Sequence, residues 1–323
     1  MLQSRQAAYA VSTQKGHQHH WNYFARFCVH FDLIMVPASA ETLSLYAQFL
    51  SRTFKAVTSI ANYISSVKLL HIMLAQPTEA FSAFEYKITL KGLTRNKKHM
   101  VRQALPITPQ LLVTFQGMLN LQDPVDATYW CLFLFAFFAM ARKSNLVPNS
   151  SKKFDPNKQL IRDRVLIGDD CLLLVWDWAK NIQAGERAHK VPLMAMHQSS
   201  LCPLKAYLHM CRLVPAGGKD PVFAVHKKQS LVPITYANFN SKLKQLVKRA
   251  GKDPQHYSTH SFRRGGATCA FQANVPDPLI QLQGDWASDC FRKYVKMGLA
   301  EKRLVSRAMG SMLKDTERQL CRC

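Results

Sequence analysis

The chain has 323 residues, 48% of them hydrophobic, and carries 43 Lys/Arg against 20 Asp/Glu, a formal net charge of +23. That length buries one large core or two smaller ones, and that charge calls for a polyanion, of which nucleic acid is the commonest. The longest apolar stretch, YWCLFLFAFFAMA (129–141), stops at Arg142 and is too short to cross a bilayer, and the first residues lack a signal-peptide core, so neither a membrane partner nor export is expected.

The first third reads as helices. In HHWNYFARFCVHFDL, residues Trp21, Phe24, Phe27, Cys28 and Phe31 share one apolar face, with His19-His20 as an exposed helix start and Pro37 as the stop. Ser39 is an N-cap signal for a second helix, ETLSLYAQFLSRTF. The third, VTSIANYISSVKLLHIML (57–74), aligns Ile60, Ile64, Val67 and His71, and a fourth, FEYKITLKGLTRN, runs into a basic stretch. Residues 1–94 are therefore expected to form a helical bundle. RNKKHMVRQALP (95–106) reads as a basic linker, with Arg95, Lys97, Lys98 and Arg102 as candidate phosphate contacts.

A second domain, 107–323, is expected to open with the helix ITPQLLVTFQGML and to bury the apolar helix 127–141. RDRVLIGDDCLLLVWDWAKN and HKVPL alternate and are rich in Val, Leu and Trp, which predicts two or three strands with Asp169-Asp170 as a turn and NIQAGER as a loop. A helix (PLKAYLHMCRLV), a short strand (PVFAV) and a further helix (TYANFNSKLKQLVKRAG) follow. The fold class is mainly α: two domains, the second mostly helical with a small antiparallel sheet.

Many chemistries are excluded by what is missing. The chain has no GxxxxGK[ST] loop, no GxGxxG and no HExxH. Its nine cysteines are scattered, with no CxxC pair, which reads as reduced thiols and not as a zinc ribbon or disulfide scaffold. What remains is a set of cationic donors and a tyrosine. STHSFRRGGAT (258–268) packs His260, Arg263 and Arg264 close together, and burying such donors is costly without an anion.

At these residues the chain resembles the tyrosine recombinases of the phage-integrase superfamily. His260-Ser-Phe-Arg263 is similar to that family's HxxR box. AMARKSNLVP resembles its first arginine box, with Arg142; WAKNIQAGERAHKVPL resembles its β-hairpin, with Lys180, for which Lys190 is the nearest competitor; LQGDWASDCFRKYV resembles its last box, with Tyr294 in the nucleophile's place. The details RKSNLVP, HSFRRGGAT and LQGDW look most like recombinases of eukaryotic mobile elements, the DIRS-like and Crypton-like groups. The resemblance implies two domains that clamp double-stranded DNA, a homo-tetramer in synapsis, a nuclear location, and no metal or small-molecule cofactor.

It also implies roles. Arg142 and Arg263 would hold the non-bridging oxygens of a phosphodiester, Tyr294 would attack phosphorus, Lys180 would protonate the departing oxygen, and His260 would help move the tyrosine's proton. Arg264 is expected to contact backbone phosphate or join a salt bridge. Two positions depart from the family pattern. Asp285 stands where a His or Trp is usual, so Trp286 is expected to supply the donor while Asp285 turns away toward an arginine. Asn145 replaces the usual acid. A descendant that binds DNA without cutting it and a type IB topoisomerase remain alternatives. The amphipathic tail MGLAEKRLVSRAMGSML would close its own domain or dock on a neighbour.

Overall fold

The computed structural model describes residues 8–98, 103–178, 182, 187–228, 230–295 and 303. The chain divides into two compact units, Met1–Arg102 and Gln103–Cys323.

The described residues of the first unit form four α-helices, α1 (Val11–His30), α2 (Ala40–Thr53), α3 (Val57–Met73) and α4 (Phe84–Lys97), with a short 3-10 turn (Glu79–Ser82) before α4. Phe24, Phe27 and Cys28 of α1 meet Leu43, Tyr46, Ala47 and Leu50 of α2 and Ile60, Ile64 and Val67 of α3 in one core. The Ser39 hydroxyl caps α2 by accepting from the Thr42 amide at 3.0 Å. Three expectations change here. Phe31 lies beyond the end of α1 and is half exposed. His19 and His20 sit inside α1, not at its start, and His20 bonds the Ser66 hydroxyl at 2.8 Å. The helix forms earlier because residues 11–18 contain no breaker other than Gly16. The linker also begins later than residue 95. Arg95 and Lys97 belong to the last turn of α4, where Lys97 donates to the Ser51 carbonyl at the end of α2; cations are favourable at helix C-termini, and both of these ends are C-terminal.

The second unit begins with α5 (Pro109–Met118), capped by Thr108, and α6 (Pro124–Phe138), capped by Asp123. Almost every side chain of α6 from Trp130 onward is buried, so this helix is the axis of the core. A single turn, α7 (Lys143–Leu146), follows. Strands β1 (Val165–Ile167), β2 (Cys171–Trp176) and β3 (His189–Met194) form an antiparallel sheet in the order β1-β2-β3. In β2, Leu172, Leu174 and Trp176 point into the core in strict alternation. Helix α8 (Pro203–Leu213) packs against α6, and α9 (Tyr236–Arg249) carries a capping box between Thr235 and Asn238. Between them β4 (Ala224–Lys227) and β5 (Ser230–Pro233) make a second hairpin where one strand was expected. Helices α10 (His260–Gln272) and α11 (Asp277–Gln283) follow. All seven described cysteines are free thiols.

Helix α10 lies against α6 because of Gly265 and Gly266. A Cβ at Gly265 would collide with the Ile107 carbonyl, and one at Gly266 with the Phe137 carbonyl. Phe262 of α10 fills the remaining gap, stacked on Phe133 at 5.0 Å. The glycine pair is thus a site of backbone-to-backbone approach.

Candidate active site

The end of α6 and the start of α10 bring the cationic residues together. After Phe138 the chain turns through Met140 in the left-handed region (φ 47°) and reaches Arg142, the residue that precedes α7. Such a turn at a non-glycine residue costs about 1 kcal/mol. It aims the Met140 carbonyl at Arg263, which donates to it and also to the Gly284 carbonyl at 2.7 Å. The Arg263 guanidinium lies over the Trp286 ring, 3.8 Å from its centroid, and 5.5 Å from that of Tyr294. Arg263 is 2% exposed. Burial, and next the Arg142 cation, push its pKa down to about 9, which leaves it charged at neutral pH.

His260 opens α10 and its Nε2 lies 3.1 Å from the Tyr294 hydroxyl. Burial first, then the surrounding cations Arg263, Arg264, Lys143 and Arg142, lower its pKa, so the ring is neutral near pH 7 and its Nε2 can accept a proton. Tyr294 follows a 3-10 turn (Asp289–Lys293) whose Phe291 is buried. Arg264 donates to the Lys293 carbonyl at 2.8 Å, and Thr268 to the Tyr294 carbonyl at 3.4 Å. Arg264 therefore ties α10 to the tyrosine's own segment through a main-chain bond.

The structure brings together Arg142, His260, Arg263, Trp286 and Tyr294. Lys180 and Arg102 lie outside the described residues. Arg95 and Lys98 are exposed in the first unit. Asp285 does turn to an arginine: its carboxylate accepts from Arg142 Nη1 at 3.0 Å and from Arg187, and its carbonyl accepts from Arg142 Nη2 at 2.9 Å. Trp286, the expected donor, packs in the same place. Its indole nitrogen is buried without a hydrogen-bond partner, and the ring serves as the floor under Arg263. That placement follows from Gly284, where a Cβ would overlap the indole. Asn145 does not buttress a cation; its side-chain amide donates to the Trp178 carbonyl at 3.0 Å and its main-chain carbonyl accepts from Trp176 Nε1 at 3.2 Å, joining α7 to the end of β2. Sequence reasoning missed Arg187, which lies within the quoted hairpin stretch but was given no role there, and the main-chain acceptors of Arg263, which no side-chain pattern announces.

A mostly helical unit with a small antiparallel sheet, presenting two arginines and a histidine around a tyrosine, is the tyrosine-recombinase catalytic fold. The chain belongs to the Phage integrase family, which matches residues 116–296. Among solved structures it is similar to the Tn1549 transposon integrase in complex with transposon right end DNA, at 13% identity over 95% of this chain and 97% of that one, with a TM-score of 0.60. It is also similar to the XerH site-specific recombinase bound to difH substrate in a pre-cleavage complex, at 20% identity over 80% and 67%, TM-score 0.53. A lambda integrase dimer bound to a COC′ core site matches at 14% identity over 89% of each chain, TM-score 0.50. At these identities the likeness is one of fold. A comparison with curated proteins found no match.

Proposed function

We propose that this protein is a site-specific DNA recombinase that cuts and rejoins double-stranded DNA through a 3′-phosphotyrosine at Tyr294. The observation that carries the reading is the His260 Nε2 to Tyr294 Oη contact of 3.1 Å beside the buried Arg263 fork. His260 takes the phenolic proton as the tyrosine oxygen attacks phosphorus. The phosphorus–O5′ bond breaks, and the leaving oxygen takes a proton from Lys180. Arg142 and Arg263 each have N–H groups beyond those used internally, and these neutralise the charge that builds on the non-bridging oxygens. A 5′-hydroxyl from another strand reverses the steps, and the bond is rejoined. Guanidinium charge does the work a metal or nucleotide would otherwise do, so the reaction is metal- and ATP-independent.

The net charge of +23 and the DNA complexes of the solved relatives support duplex DNA as the partner. We extend the reading to a homo-tetramer in synapsis, a basic linker that contacts phosphate, a nuclear location and descent from a DIRS-like or Crypton-like mobile element. A second reading, a DNA-binding descendant that no longer cuts, draws on Asp285 already occupying Arg142.

A suicide-substrate assay separates the two. Nicked duplexes spanning the flanks of the protein's own element are incubated with the chain, and covalent adduct is resolved on denaturing gels. Wild type is expected to form adduct and Tyr294→Phe none, a loss of at least about 10³-fold. Adduct from the Phe variant, or none from wild type on any flank, overturns the recombinase reading.

A further inference from the structure

The proposed chemistry leaves Asp285 without a task, and a carboxylate beside a phosphate site should repel the substrate. Its side chain is 3% exposed. One oxygen receives Arg142 and the other receives Arg187, and its carbonyl takes the second terminal nitrogen of Arg142. A single residue thus grips both ends of one guanidinium and reaches across to a second. Arg187 lies two residues before β3, in the β2–β3 connection that also contains Lys180. His189, the next titratable group along β3, faces the same carboxylate and is held neutral mainly by burial.

Charge counting explains why both cations are needed. A buried carboxylate paired with Arg142 alone would cancel that arginine and leave the pocket with Arg263 only. With Arg187 included, three arginines against one aspartate leave two positive charges. A phosphodiester under attack carries two negative ones.

We propose that Asp285 and Arg187 form a latch that fixes Arg142 in its pocket-facing pose and ties the β2–β3 connection to that pocket, with Arg187 a positioning residue for strand transfer. This rests on the recombinase reading. Arg187 acts through Asp285 and not by gripping DNA. It is what permits an aspartate to stand at this place.

The test uses the full chain and the nicked duplex, comparing wild type, Arg187→Ala, Arg187→Lys, Asp285→Asn and the Arg187→Ala/Asp285→Asn double variant. Single-turnover adduct rate at saturating DNA is measured beside DNA affinity. Arg187→Ala is expected to slow adduct formation about tenfold or more, with affinity changed by less than about threefold. Arg187→Lys restores most of the rate. In the Asp285→Asn background, Arg187→Ala costs less than about twofold, because its partner is gone. Equal losses in both backgrounds, or an affinity loss that accounts for the slower rate, overturn the latch. If wild type forms no adduct, the recombinase reading fails on its own. The latch is then judged by thermal unfolding, where non-additive shifts support it and additive shifts refute it.

Discussion

His71 in the first unit and Arg263 in the second are both buried nitrogen bases, yet their surroundings differ. His71 is fully matched: Nε2 accepts from the Ala38 amide at 2.9 Å and Nδ1 donates to the Val67 carbonyl at 2.9 Å. Neutral partners close the account with no charge left over. Arg263 keeps its charge, stacks on an indole and retains a buried Nε without a hydrogen-bond partner. Left-handed backbone at Met140 and Asp285 surrounds it. Buried groups left short of partners and strained backbone are expected at a site shaped for a ligand and not for stability alone. The first unit has such features too, the unpartnered Tyr46 hydroxyl and left-handed Asp32, Ala75 and Lys98, but they are scattered, whereas in the second unit they gather around Arg263.

Substitutions should respond unit by unit, and hydrogen exchange read separately over residues 8–98 and 103–295 can follow them. Gly266→Val is expected to have the largest effect, because the clash is with a main-chain carbonyl that cannot yield. It should destabilise the second unit by about 4 kcal/mol or more and leave exchange in the first unaltered. A loss in both units would mean that they do not fold as separate bodies. His71→Leu should cost the first unit about 1–3 kcal/mol by orphaning the Ala38 amide and the Val67 carbonyl, with no change around Arg263.

Acidification should have the smallest effect, and it should fall on both units. Burial is the leading cause that lowers the pKa of His20 in the first unit and of His189 and His260 in the second. A histidine depressed in the folded state binds more protons when unfolded. Its stabilisation is complete above the ordinary histidine value of about 6.5 and is lost as pH falls through the lower folded value. The second unit, with two such histidines against one, should soften more between pH 7 and pH 5. The adduct rate should fall in the same window as His260 gains its proton. An adduct rate that rises on acidification would remove His260 from the role of proton acceptor.

Much of this was legible before any coordinates. Periodicity located α2 and α3 to within a residue or so, since Ser39, Ile60, Ile64 and Val67 do in space what their spacing says. The four boxes led to Arg142, His260, Arg263 and Tyr294, because each is a side chain with a fixed place in a short pattern. Other features were hidden for physical reasons. Strand β5 contains Pro233 and is only four residues long, too short for alternation to declare itself. The start of α1 is polar and exposed, so no apolar stripe marks it. Arg187 pairs with a residue 98 positions away, and nothing local distinguishes it from other loop cations. The packing of the Trp286 ring against Gly284 and under Arg263 was hidden as well, because it depends on a missing Cβ and not on a side-chain pattern.

The glycine pair of α10 has one more implication. Because Gly265 and Gly266 put that helix in direct touch with the Ile107 and Phe137 carbonyls, the spacing between the residues preceding α7 and those opening α10 is gauged by peptide units and not by side-chain bulk. The gap between Arg142 and Arg263 is therefore a ruler that drift in the surrounding hydrophobic residues does not rescale.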